Sequence, residues 1–236
     1  MKRKNKNVFL LLILLILIII TIVVIFIFKS KENKGNTPQI EEKTETEDTS
    51  DRIIYDNGNL SYFDSFEKGK LDINIKECVK LPTDYSKYKP TDGDNIEHEI
   101  NSILQRIVDD SQVDIPIKLL NGYYGDTYSS MDLGAKINNI DLDEYIKKEY
   151  GYDTYQKFAE ENIEYFRESI KEDLVYQALG EELNITVNRE DIEKFYSERL
   201  ANGDTYESLK KHYGENLMYK YTAQDKLKKA LIQKLS

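Results

Sequence analysis

The sequence predicts a mainly α-helical protein with one N-terminal transmembrane helix, a small β-rich segment and then a multi-helix module. Three observations lead there. Val8 to Phe28 holds only aliphatic and Phe side chains apart from Thr21. Apolar and polar residues alternate between residues 52 and 82. From about Asp92 onward apolar residues recur every three or four positions, which is the helical period.

The apolar run of about 21 residues, at about 1.5 Å rise per residue, spans roughly the 30 Å hydrocarbon core of a bilayer. A cleaved signal peptide has a shorter apolar stretch of about 7–15 residues and a small-residue cleavage site. Phe26-Ile27-Phe28-Lys29-Ser30 offers no such site, so the segment reads as an uncleaved signal anchor. Lys2, Arg3, Lys4 and Lys6 crowd the short tail before it, whereas Lys29, Lys31 and Lys34 follow it with Glu32 among them. The positive-inside rule then puts the N-terminus in the cytoplasm and the C-terminal domain outside a single-pass cell-membrane protein. The expected organisation is residues 1–28 as tail and anchor, 29–51 as flexible linker, 52–91 as β-rich segment and 92–236 as helical domain. The linker, rich in Lys, Glu, Thr, Asn and Asp, cannot bury enough apolar surface to offset chain entropy. As a coil it reaches about 25–30 Å.

The formal net charge is −10 over 236 residues, and the first 30 carry only basic charges, so the remainder is more acidic still. An acidic body disfavours nucleic acid, which needs a basic face. The single cysteine, Cys78, can form no intramolecular disulfide and reads as a small half-buried hydrophobe. With only His98 and His212, neither a zinc site nor a nucleophile–base set is supplied. Neighbouring carboxylates such as Asp109-Asp110, Glu160-Glu161 and Glu181-Glu182 point about 100° apart on a helix and read as solvated faces. No Gly-rich phosphate loop is present, and Asp92-Gly93-Asp94 lacks EF-hand spacing. The expectation is a protein with no enzymatic activity, cofactor or metal.

Ile53-Ile54-Tyr55 and Leu60-Ser61-Tyr62-Phe63 flank Asn57-Gly58 and predict a hairpin. Leu71, Ile73 and Ile75, then Val79 and Leu81, alternate as strands up to Pro82. Ile96, Ile100, Ile103, Leu104 and Ile107 form the first helical stripe, with Asp92 or Asp94 as its cap. Ser111 to Pro116 is a break. Leu120, Tyr123, Tyr124, Tyr128 and Met131 resume helical spacing, weakened by Gly122 and Gly125. Asp141 caps a short helix that ends at Gly151. A long helix then runs from about Asp153 to Leu183, with Asn184 as a left-handed cap and Gly180 as an internal cost of about 1 kcal/mol relative to Ala. Asn188 with Asp191 approximates a capping box. Ala201-Asn202-Gly203 is a turn, and Asp204 with Glu207 starts a helix that Gly214 stops. The last helix buries Leu217, Tyr221, Leu227, Ala230, Leu231 and Leu235.

The stretch Phe166 to Leu179, the step Asn184-Ile-Thr-Val-Asn-Arg-Glu-Asp-Ile192 and Tyr206-Glu-Ser-Leu-Lys-Lys-His-Tyr-Gly214 are similar to the C-terminal chaperone module of trigger factor. The peptide-binding domain of SurA is related in fold. Ser111-Gln-Val-Asp-Ile-Pro116 and Leu142-Asp-Glu-Tyr-Ile146 match the family's acidic V-x-I-P step and its short intervening helix. The resemblance covers roughly residues 108 to 235, and more faintly Val79 to Tyr85 and Asp94 to Leu104. It implies helical arms with a partly apolar inner surface. The chain departs from the family in two places. Val108 runs almost directly into Ser111, leaving no room for the family's prolyl-isomerase domain, and the anchor stands where the ribosome-binding domain would be. Phe66-Glu-Lys-Gly-Lys70 faintly echoes the ribosome-contact loop but lacks its flanking Gly and Pro.

The resemblance implies a chaperone, and with the anchor and its basic flank the expectation is a membrane-anchored, outward-facing protein that binds unfolded or nascent secreted polypeptides during export and folding. Tyr123, Tyr124, Tyr128 and Met131 are the peptide-binding candidates, since Tyr and Met suit adaptable apolar surfaces. Their alternative role is ordinary packing. The alternative function is a structural or assembly protein of the cell envelope with one specific partner. The sequence leaves homodimer formation open.

Overall fold

The stripe Ile100, Ile103, Leu104 and Ile107 folds as a helix, and all four side chains are buried. The computed structural model describes residues 52–89, 96–198 and 205–235, all within one unit of residues 48–236. Its helices are α1 (Ile75–Cys78), α2 (Ile96–Asp110), α3 (Ile117–Asn138), α4 (Leu142–Tyr150), α5 (Tyr155–Glu161), α6 (Ile163–Glu182), α7 (Arg189–Ser197), α8 (Tyr206–Tyr213) and α9 (Glu215–Leu235). Two antiparallel ladders of two residues per strand accompany them: β1 (Phe66–Glu67) with β2 (Lys70–Leu71), and β3 (Val79–Lys80) with β4 (Gln112–Val113). The expected membrane span, linker, Asp92/Asp94 cap and 201–203 turn lie outside the described residues. Among the described residues no helix is long and apolar enough to cross a membrane.

The hairpin expected about Asn57-Gly58 does not form. Asn57 closes a local turn, accepting from Leu60 N–H through its carbonyl and from Asn59 N–H through its side chain. The flanking main chain bonds instead to α3. Ile54 N–H donates to Asn121 Oδ1 at 2.8 Å and Tyr62 N–H to Asp126 Oδ2 at 2.8 Å. The strand expected over Leu71 to Ile75 also fails beyond Leu71, because Ile75 opens the single turn α1. Leu71 and Ile75 are both buried all the same. Among the described residues the β content is therefore two minimal ladders, and this segment packs on the helices.

Gly122 and Gly125 do not interrupt α3, which runs unbroken for 22 residues. They are where residues 57–62 cross it. A Cβ on Gly122 would lie 2.8 Å from Tyr62 N, and one on Gly125 would run into Leu60 O. The expected long helix is instead two, split at Asn162, whose φ is −105° and whose side-chain Nδ2 donates to Phe158 O at 2.8 Å. Its far end is as expected. Asn184 adopts φ 54°, and Ile185 N–H reaches back to Gly180 O at 2.7 Å, the closing bond of a Schellman cap. Thr154 caps α5, beside the expected start near Asp153, and Thr205 with Ser208 makes the capping box of α8 in place of the expected Asp204 with Glu207. The Asn188–Asp191 box is present. Its Asp191 carboxyl is held below the usual range, chiefly by the Lys226 ammonium at 2.8 Å.

Burial separates two apolar clusters. The larger one joins α2 to α6 with Tyr62, Phe66, Leu71 and the C-terminal half of α9. The smaller one holds Ile192, Tyr196, Tyr206, Leu209 and Met218, from α7, α8 and the start of α9. Met218 takes the buried place expected of Leu217, and Tyr221 is exposed. Gly180 sits in the last turn of α6 with only Ile185 Cβ near its missing side chain, at 3.9 Å. Gly180→Ala is therefore expected to stabilise the protein by about 0.5–1 kcal/mol, read as a higher denaturant midpoint at unchanged slope.

Candidate polypeptide-binding surface

The stripe Leu120, Tyr124, Met131 and Ala135 turns one face of α3 inward, and all four residues are buried. Tyr124 is wholly inaccessible, its ring 5.1 Å from Phe166 and 5.1 Å from Tyr55. Tyr128 is half-buried, edge-on to Tyr155 at 5.1 Å and beneath Gly58. The surface role expected of Tyr124 and Met131 does not fit these positions: the spacing that groups them is the spacing of a core face. Tyr123 stands one residue round the helix, half-exposed.

Around Tyr123 the structure assembles an aromatic strip. Its ring lies 5.4 Å from Tyr62 and 5.2 Å from Phe166. Phe63 extends the strip beyond Tyr62, and Tyr165 extends it beyond Phe166, both edge-on at about 6 Å. Phe63 is 49 % and Tyr165 66 % exposed, although large aromatics normally gain by burial. Of the four expected binding residues only Tyr123 belongs here, and Phe63 and Tyr165 were not among them. Their sequence signal was phase: Tyr165 precedes Phe166 on α6 and so falls off the buried stripe.

Polar groups fix the strip from behind. Asp126 accepts from the N–H groups of Tyr62 (2.8 Å) and Phe63 (3.0 Å). Burial nevertheless pushes its carboxyl above the usual range, the hydrogen bonds only partly opposing it. Asp173 accepts from Tyr62 OH at 2.9 Å and Lys220 Nζ at 2.6 Å. Burial first, and the Asp173 charge second, drive the Tyr62 hydroxyl far above its ordinary range, so it stays protonated and donating. Lys220 also sits 5.0 Å from the Phe66 ring centroid, a cation–π contact.

Open grooves flank the β1–β2 hairpin. One of about 540 Å³ runs past Leu60, Ser61, Phe66 and Gly122, and one of about 420 Å³ lies between Leu71, Ile185, Val187 and Ala223. Between the hairpin, α6 and α9 is a narrow cleft of about 50 Å³ lined by Phe66, Tyr176, Ile185 and Leu227. The two wide grooves mix apolar and charged walls, with Asp64, Glu67, Asp72 and Lys118 in the first and Glu67, Lys68, Lys70 and Asp72 in the second, whereas the narrow cleft is mostly apolar and suits an apolar side chain of a partner. Among the described residues no three of His, Cys, Asp and Glu are grouped to hold a metal ion. Cys78 is half-buried and its thiol is pushed up by burial, the opposite of an activated nucleophile.

No curated protein and no solved structure matches the chain. The model of the bacterial trigger factor protein C-terminus matches residues 94–236. That is more than half of the chain, and the chain belongs to the trigger factor C-terminal family.

Proposed function

We propose that this protein holds unfolded or partly folded polypeptides at the outer face of a membrane during export, tethered by residues 8–28. Family membership of residues 94–236 carries the holding role, since it suggests a chaperone-like, peptide-binding module. Exposed Phe63 and Tyr165, joined through partly buried Tyr123, supply apolar contact of the kind a promiscuous holder needs. Anchor and orientation rest on the apolar run and its basic flank. A tether raises the local concentration of holder and client, so weak contacts suffice. The holder does no covalent chemistry in this reading.

The full chain in detergent micelles is expected to suppress aggregation of a chemically unfolded client diluted from denaturant. Phe63→Ser with Tyr165→Ser, both exposed, should reduce that suppression several-fold while lowering Tm by only a few degrees. No suppression at several-fold molar excess would overturn the holding role. Protease added to intact cells is expected to digest the body, and a protected body would overturn the outward orientation.

A further inference from the structure

Residues 52–72 lie across the helices held by main-chain bonds to five side chains: Ser129 on α3 donates to Gly58 O at 2.9 Å, and four others make paired contacts. Asn121 on α3 accepts from Ile54 N–H (2.8 Å) and donates to Arg52 O (2.6 Å). Gln177 on α6 accepts from Leu71 N–H (2.8 Å) and donates to Leu71 O (3.2 Å). Asn216 on α9 accepts from Lys68 N–H (3.0 Å) and donates to Phe66 O (2.7 Å). Asp126 takes the consecutive N–H groups of Tyr62 and Phe63. Each carboxamide presents one acceptor and one donor to one N–H and one C=O, a pairing indifferent to the sequence being held. Specificity comes from the sockets that bury Tyr62, Phe66 and Leu71 and from Asp173, which accepts from Tyr62 OH. Gly122 and Gly125 clear the floor for close main-chain approach. The segment's own secondary structure is the two-residue ladder and a 3-10 turn, so little internal cooperativity holds it in place.

We propose that Asn121, Asp126, Gln177 and Asn216 form a track that reads polypeptide main chain, and that residues 52–72 occupy it as an in-built competitor which clients displace. The inference rests on the holding function proposed above. The occupant it accepts is an extended polypeptide with aromatic or aliphatic residues spaced as Tyr62, Phe66 and Leu71 are. A covalently joined segment competes at an effective concentration of about millimolar, so the resting protein binds clients weakly and a strap-released protein binds them tightly.

Gly69 offers a way to release the strap without touching the track. Its φ is +77°, and a Cβ there would lie 2.5 Å from the Lys220 main-chain nitrogen. Gly69→Val therefore unseats the hairpin from α9. The probe is a fluorescein-labelled peptide with the sequence of residues 57–72, titrated into the full chain in detergent and read by anisotropy. Gly69→Val should bind it roughly 10-fold more tightly than the unaltered chain, and adding Gln177→Ala should reverse most of that gain. Equal affinity in both proteins, or no effect of Gln177→Ala, overturns the track. A concentration-dependent dimer of Gly69→Val that exchanges the segment would make a second copy the occupant and overturn the client assignment. If Gly69→Val loses its helical circular dichroism, hydrogen exchange of the unaltered chain decides. Lys68 and Leu71 amides should exchange at least about 10-fold faster than those of Leu174 and Val175, and equal protection overturns the proposal. The client aggregation assay separates the two readings. Probe binding without suppression leaves the track and removes the holding function, whereas suppression unchanged by Gly69→Val does the reverse.

Discussion

Phe166→Ala is expected to lower the stability of the folded unit by about 3–5 kcal/mol. Phe166 is buried on α6 and is the hub of the aromatic network. Its ring lies 5.2 Å from Tyr123, 5.1 Å from Tyr124, 6.1 Å from Phe158 and 6.0 Å from Tyr165. Truncation removes the transfer free energy of a full ring and leaves a cavity between helices that cannot close independently. It also deprives four neighbours of aromatic contacts worth about 0.5–1.5 kcal/mol per pair beyond burial. For a unit of this size each kcal/mol is about 2–4 °C in Tm, so a fall of roughly 6–20 °C is the expected reading. A change under about 2 °C in a calorimetric scan would mean that α5 and α6 collapse into the space, and the packing described here would be wrong.

Gly125→Ala is the second large effect, and its sign is opposite to that at Gly180. On helix propensity alone, Ala should stabilise α3 by about 1 kcal/mol. Its Cβ, however, would meet two main-chain oxygens, those of Leu60 and Asn57, the latter at 2.6 Å. Main-chain atoms cannot swing aside as a flexible side chain can, so residues 57–62 must lift. That weakens the bonds from Tyr62 and Phe63 to Asp126, each worth about 1 kcal/mol. It also partly exposes Tyr62, which is 1 % accessible and stands to lose about 2–3 kcal/mol of burial. The expected net loss is about 2–4 kcal/mol, read by urea denaturation with Gly180→Ala as the matched control. Gain at both glycines would show that the 57–62 crossing is not a tight one.

Helices were the legible part of the chain, because each carries its own period and punctuation. The Asp141 cap, Gly151, Asn184, the Asn188–Asp191 box and Gly214 all stand where the residues indicated. The segment before α2 was not legible, since its partners are far away in sequence. Asn121, Asp126, Gln177 and Asn216 satisfy main-chain groups some 64 to 150 positions away, and such long-range bonds leave no periodic trace. The Asn57-Gly58 dipeptide signalled a turn and a turn formed, but the bonds that strands would have exchanged were taken by α3. Gly122 and Gly125 misled for the same reason: they signify close approach of another backbone, not a weak helix. The candidate surface was legible at Tyr123 alone. Helical spacing finds residues that pack together, whereas exposed aromatics such as Phe63 and Tyr165 are recognisable only by being out of step.

One consequence follows from α9 being continuous across both clusters. Met218 near its start belongs to the small cluster, while Leu227, Leu231 and Leu235 belong to the large one. Five buried side chains among the described residues are too few to stand alone, so α7 and α8 borrow their rigidity from a rod rooted elsewhere. A pull on those two helices is thus carried along α9 and meets first the Asn216 and Lys220 contacts to the hairpin and α6.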